Sequence, residues 1–489
     1  MPLNSSGPIS LGGSTVGQSI NLELGVSATA QADINSTSFR TLAGVPSGQI
    51  SLSNFYGKSS SVGWFATIGV STAETPTYGL GINSSGTVFV RVNSNIANSD
   101  QMVIQFSTTG AITYQRNKFT DSFQGFRNSL TVDSSGNYYV IGYQSGSRFP
   151  QVTKFNSSNV QQWSRYWTEN DATGSSNMSK PFVDASGNVY FGIRSSNNVC
   201  CGTDYYYQAR RLNSSGVLAT QTVGYVPGSA SYSSPAGVCA DSSGNVYSIC
   251  GGYGGGAGTV AIAKANSSFV FQTSTNYYGQ SPSGSFEPQS ATFDATNSVG
   301  YVVGRLQSTS WVMKFNTSCQ NVWSYTFSDT GNWYDCALDS SGNIYAASCF
   351  TVAGSGIRAL KIIKLDSSGS LQWARYLRAT TLNMNTTGIS IAISGTRLAV
   401  CGQISGGTAA QNRGFVLQVP TDGSGGAGSG TTFTNNGMTW TYASYTETAS
   451  AVTVTNATGM TQFPSSTSAS TSVTVTQATS AATAVTTTV

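Results

Sequence analysis

The eleven residues DSSGNVYSICG (241–251) return as DSSGNYYVIG from 133, DASGNVYFG from 184 and DSSGNIYAAS from 339. A phrase recurring at such intervals restricts the fold more than any other feature, because periods of tens of residues belong to arrays of like structural units. With the glycine of the SSG turn as marker, copies fall at Gly86, Gly136, Gly187, Gly244, Asn297, Gly342 and Gly395, spaced by 50, 51, 57, 53, 45 and 53 residues. Asn297 fits the series, since asparagine tolerates the left-handed backbone that a tight turn demands.

A second phrase interleaves with the first: KFNSSNVQQW at 154, RLNSSGVL at 211, KFNTSCQNVW at 314 and KLDSSGSLQW at 364, with looser forms at 105 and 264. Each repeat therefore spells strand, turn, strand, variable loop, strand, turn, strand, and four antiparallel strands in about 50 residues make one propeller blade. Composition agrees: 9% charged residues, 55 Gly, 24 Tyr and 22 Phe, with no amphipathic helical stretch, favour short strands and tight turns. Most repeats end on an outer strand carrying Tyr114, Trp163, Trp323 or Trp373, but the seventh stops at FVLQVP (415–420). GWFATIGV (63–70) resembles WSRYW and WARYL, so it is expected to complete the last blade and leave no open sheet edge at the seam. The phrases resemble the seven-bladed β-propeller repeat over residues 61–423, a resemblance that implies an all-β fold of four-stranded antiparallel blades and says little about function.

Asp133, Asp184, Asp241, Asp294 and Asp339 open the turns, and each supplies one carboxylate followed by hydroxyls where a calcium loop needs several oxygen ligands. They are read as turn caps, with no metal. The uniform turns share one face of the wheel, so the variation falls on the other, in 144–149, 193–208 and 251–258 and in the connections holding Asp121, Arg127, Glu169, Asp171, Glu287, Asp329 and Asp335. Such a face suits a ligand. The candidate binding residues are Arg148, Arg194, Asp204, Tyr205, Tyr206, Tyr207 and Trp333; drift without selection is the alternative reading of the same loops.

The chain has no His, which removes Ser-His-Asp and Cys-His catalysis, and none of its eight cysteines forms a C-x-x-C pair for zinc. Cys239 with Cys250, and Cys336 with Cys349, flank hairpins too far out of register for disulfides, so free thiols are expected. The chain is accordingly read as not an enzyme and without a cofactor. A glycan-cleaving enzyme using two of Glu169, Asp171, Asp329 and Asp335 is the minority reading. A net charge of +4 without a basic cluster gives no footprint for nucleic acid. No apolar run has the length of a membrane span, and the polar start lacks the pattern of a signal peptide, so folding in a cytoplasm is expected.

Two segments flank the propeller. After the Gly/Ser-rich 424–430, residues 431–489 alternate Val and Thr as in a small β module, with too few large apolar side chains for a core of its own, so a partner surface is expected. Residues 1–60, ending in ISLSNFYGKSS, resemble the N-terminal module of structural proteins of tailed bacteriophages, marine ones especially. That resemblance implies anchoring on other virion proteins through Phe55 and Tyr56, a virion exterior location after assembly in the host cytoplasm, and homo-oligomers in the particle. It also implies a tail-fibre or baseplate protein that meets host-surface polysaccharide, or alternatively a capsid decoration or head-fibre protein.

Overall fold

The computed structural model describes residues 3–488 except 5, 16–17, 25–26, 44, 46, 57–62, 70–75, 95–99, 118–127, 144–149, 168–177, 200–201, 228–231, 255–256, 279–285, 353–354, 381–383, 407–412, 424–430, 436–437, 445, 453, 458–459, 464–469 and 473–482. The repeats fold into seven antiparallel four-stranded blades in a ring. Blade 1 runs from Thr77 to Asn117 and blade 2 from Leu130 to Trp167; blades 3 and 4 span Phe182–Pro227 and Tyr232–Tyr278. Blades 5 and 6 share an 18-residue strand, Asn321–Leu338, which is the outer strand of one and becomes the inner strand of the next. Blade 7 takes its first three strands from Asn385–Pro420 and its fourth from the other end of the chain: Trp64–Gly69 pairs antiparallel with Arg413–Pro420. The seam is a side-chain joint as well, because Trp64 Nε1 donates to Gln418 Oε1 at 2.8 Å in the buried interior.

The repeated phrases are the fasteners of this ring. In DSSGN, Asp133 Oδ1 accepts the N–H groups of Ser135 and Asn137, while Oδ2 accepts the Asn137 amide and the Tyr139 hydroxyl. Asp184, Asp241 and Asp339 repeat the same four bonds. Each carboxylate is thus occupied by its own turn. The turn glycine sits at φ +76 to +84 in blades 1, 2, 3, 4 and 6, a region that side chains avoid. Blade 5 departs from expectation, since its left-handed residue is Ser298 (φ 53), one position after Asn297. Asn297 instead donates its backbone and side-chain N–H groups to Asp294.

The second phrase ties each blade to the next. Lys154 Nζ lies 5.3 Å over the Tyr139 ring and donates to the Ser214 carbonyl of blade 3; Arg211 reaches Ser267 of blade 4, and Lys314 reaches Ser367 of blade 6. The terminal Trp and Arg do likewise: Trp163 and Arg165 bond the Ser214 and Gly216 carbonyls, and Trp373 and Arg375 bond those of Thr421 and Gly423. A Cβ on Gly216 would stand 2.5 Å from Trp163, so the neighbouring blade needs that glycine.

Burial, reinforced by the adjacent Asp, raises the phenols of Tyr139, Tyr190, Tyr247 and Tyr345 above their usual value of 10, Tyr190 to about 12. A proton held more tightly in the folded state makes its stabilisation complete below pH 10 and lost as pH climbs towards 12. The ring is therefore expected to lose stability from pH 10 upward, with the phenolates of these buried tyrosines forming only as β circular dichroism is lost. Ionisation of all 24 tyrosines with the β circular dichroism intact would contradict it.

The C-terminal segment finds its partner surface on the wheel. The hairpin Thr431–Asn435 with Met438–Ser444 adds to the outer strand of blade 6. Its Trp440 and Phe433 pack on Phe65 of the closing strand, with ring centroids 4.6 and 5.4 Å apart, and Thr67 donates to Asn435 Oδ1 at 2.8 Å. The chain then runs backwards round the rim, giving a further strand to blade 5 (Ala449–Ala451), blade 4 (Thr455–Ala457), blade 3 (Met460–Phe463) and blade 2 (Ser470–Ser472). Thr483–Thr488 finally lies against Trp64–Gly69 of blade 7. What the sequence presents as a module is a belt. Glu447 pins it, entering a buried ion pair with Lys361 (2.6 Å) whose ammonium lies 4.5 Å over Trp333.

The N-terminal residues form a unit with their own core of Leu3, Ile20, Phe39, Leu42, Ala43 and Phe55, built on short helices at Ile20–Glu23 and Thr37–Ala43 and a 3-10 turn at Leu52–Phe55. Phe55 is fully buried there and so belongs to that core, not to an exposed anchor. Tyr56 is part-exposed, and its hydroxyl donates to the Gly7 carbonyl at 2.6 Å.

Candidate functional site

Three places on the wheel carry chemistry: the hub, the turn face and the loop face. At the hub each blade contributes one residue of its inner strand. Gly79, Ser129, Lys180, Gly237, Ser290 and Asp335 each stand seven positions before their blade's turn marker, and Ser390, opposite Cys401, holds the place in blade 7. In blades 1, 4, 5, 6 and 7 a β-bulge immediately precedes this residue and turns it.

Asp335 sits at the centre, fully buried. Its Oδ2 accepts from Lys180 Nζ (2.7 Å), Ser390 Oγ (2.9 Å) and the Ile391 N–H (2.9 Å), and its Oδ1 from Ser290 Oγ (2.7 Å) and the Cys336 N–H (2.9 Å). Lys180 also donates to the Ile391 carbonyl, and the amide of Asn128 in blade 2 donates across the hub to the Tyr334 carbonyl. Blades 2, 3, 5, 6 and 7 are thereby joined through the hub. The expectation that Asp335 lies in a loop-face connection is corrected: the strand shared by blades 5 and 6 carries it inward, and its partners are an ammonium, two hydroxyls and two backbone amides.

Trp333 is corrected in the same way. It is fully buried, edge-on to Phe327 and beneath Lys361, and offers no ring to a ligand.

On the loop face, blade 3 carries the hairpin Val189–Val199 against Gly202–Leu212, joined among the described residues by eleven register pairs. Arg194, Asp204, Tyr205, Tyr206 and Tyr207 all belong to it, in the register Asn197 to Asp204, Ser196 to Tyr205, Ser195 to Tyr206 and Arg194 to Tyr207. Tyr207 is fully buried, its hydroxyl donating to the Gly237 carbonyl of blade 4 at 3.0 Å, so it is a fastener and is removed from the binding set. Glu287 pairs with Arg305 at 2.7 Å in a half-buried position, its carboxylate already engaged. Arg148, Asp121, Arg127, Glu169 and Asp171 lie outside the described residues, as do Cys200 and Cys201. Asp329 is in the long strand Asn321–Leu338.

The turn face carries a polar cleft of about 430 Å3 between blades 2 and 3, lined by Asp133, Asn137, Lys154, Asp184 and Ser214. Its carboxylates are already spent on turns and its lysine on Tyr139 and Ser214, so sequence reasoning missed the cleft but not its groups. Cys239, Cys250, Cys319, Cys336, Cys349 and Cys401 are buried free thiols, as expected. Burial pushes Cys250, Cys319 and Cys401 up to about 12, which keeps them protonated and unreactive.

No protein-family model matches the chain, and no curated protein matches it. Among solved structures it is similar to polysaccharide lyase Uly1 (8% identity, 73% of this chain and 99% of that one, TM-score 0.38). It is similar also to a luciferin-regenerating enzyme (11%, 71% and 92%, 0.37) and to the Dos1 propeller (10%, 72% and 94%, 0.38). At these identities each likeness bears on the fold alone. Two of the three are described as enzymes, and the expectation that the chain is not an enzyme is withdrawn as contradicted.

Proposed function

We propose that this chain is a structural protein of a tailed-bacteriophage virion, attached to the tail fibre or baseplate and displaying its propeller toward host-surface glycan. The observation that carries the reading is the division of the chain between a small N-terminal unit with its own core and a propeller whose blade 3 carries the tyrosine-rich hairpin Val189–Leu212. The unit ends in the NFYGK segment that resembles phage anchoring modules, and it leaves Leu11, Leu52 and Tyr56 exposed at 37%, 44% and 38%, apolar surface of the kind a docking subunit covers. Its partners are then other virion proteins, and its location is the particle exterior.

Capsid decoration is the second reading, favoured by the filled hub, since a wheel locked through its centre serves well as a stable knob. Immunogold labelling of intact particles separates the two: label at the tail supports attachment, label on the capsid supports decoration, and unlabelled particles overturn both. For the binding role, Tyr205→Ala with Tyr206→Ala is expected to lower adsorption to host cells at least tenfold while the fold is kept. Unchanged adsorption removes the blade 3 hairpin from the site.

A further inference from the structure

We propose that Lys361 and Glu447 condense into an amide, so that the belt is covalently clasped to blade 6. Both side chains are fully buried, with Lys361 Nζ 2.6 Å from Glu447 Oε2. Phe327 and Trp333, themselves buried, cover the lysine with ring centroids 5.5 and 4.5 Å from Nζ. The other carboxylate oxygen is held as well: the Thr448 N–H donates to Glu447 Oε1 at 3.1 Å.

These contacts supply what amide formation requires. A charged pair taken wholly out of water loses the hydration of both partners, and passing one proton from Nζ to Oε2 along their hydrogen bond leaves an amine and a carboxylic acid with no charge buried. The amine lone pair is then held against the carboxyl carbon, and such enforced proximity stands in for a very high concentration of reactant. As the bond from Nζ to Cδ forms, negative charge gathers on Oε1, where the Thr448 N–H already points. The bond from Cδ to Oε2 then breaks, and Oε2 leaves as water with the proton it took and a second one from Nζ. Ammonium and carboxylate thus give one amide and one water, and no oxidant or further reactant enters. Exclusion of water from the site opposes the reverse step.

The hub pair is the internal contrast. Lys180 Nζ and Asp335 Oδ2 are 2.7 Å apart, but the lysine side chain is 17% exposed, and Ser290, Ser390 and the N–H groups of Ile391 and Cys336 also donate to the carboxylate. Four donors besides the lysine leave neither oxygen free to depart as water. At the belt, the amide closes a loop across 86 positions of sequence, a crosslink that restricts the unfolded chain.

The test is the mass of the full-length native protein, denatured only for the measurement. It is expected one water below the mass of the sequence. Trypsin is expected to leave Lys361 uncut and to release a branched peptide joining residues 359–364 to 414–489, since no Lys or Arg occurs between Arg413 and Val489. Lys361→Met, which cannot form the bond, is expected at its full sequence mass. The parent is read directly, so the result stands even where the variant folds poorly. A parent at full sequence mass that trypsin cuts after Lys361 overturns the proposal, and so does a water loss that persists in Lys361→Met.

Discussion

Asp335→Ala is expected to lower the unfolding free energy by about 3–5 kcal/mol, the usual cost of stranding one partner of a buried ion pair. The variant leaves the Lys180 ammonium, two serine hydroxyls and two backbone N–H groups facing a void at the point where blades 3, 5, 6 and 7 meet. The loss exceeds that of an ordinary core truncation in breadth, because no neighbour can relax into the hub without moving several blades. Denaturant unfolding followed by tryptophan fluorescence measures it. Pairing Asp335→Leu with Lys180→Met is expected to recover much of the stability, since an apolar pair of similar volume needs no desolvated charge. A single variant within 1 kcal/mol of the parent, on the scale of a surface change, would remove the hub from its structural role.

Deletion of residues 63–70 is expected to abolish the folded propeller, not to trim it. The strand buries Trp64, Phe65 and Ile68, whose removal forfeits about 5–9 kcal/mol of hydrophobic burial, comparable to the whole stability of a domain. It also strips both ladders it carries, one to Arg413–Pro420 and one to Thr483–Thr488, leaving blade 7 with open edges. The deleted chain should show no cooperative thermal transition and should bind an apolar dye. Retention of the parent's melting temperature would contradict closure by this strand.

Much of the wheel was legible because its builders recur. Seven turns in fixed phrases set the blade number, and the tryptophan missing after FVLQVP pointed to GWFATIGV. The Lys and Trp of the second phrase were visible as a pattern, but their task, bonding carbonyls of the next blade, depends on a neighbour that no linear reading supplies. The hub escaped for the opposite reason. Lys180 and Asp335 occur once each in a series otherwise Gly or Ser, and a charge standing alone among repeats reads as surface. Trp333 and Tyr207 looked like ligand-facing aromatics in variable stretches. Burial by the adjacent blade and by Lys361 decides otherwise, and that is a property of packing. The belt's Val/Thr alternation announced strands without naming what they pair with.

The seam joins Trp64 to Gln418 across 354 residues. During synthesis the closing strand emerges early and must wait, edge exposed, until six blades and most of the seventh have left the ribosome. Contacts so distant in the chain slow folding and prolong exposure of sticky edges. Yield of the native protein is therefore set by what shields residues 64–69 during that interval, so a slower ribosome or a scarcity of chaperone harms this chain more than its final stability would suggest.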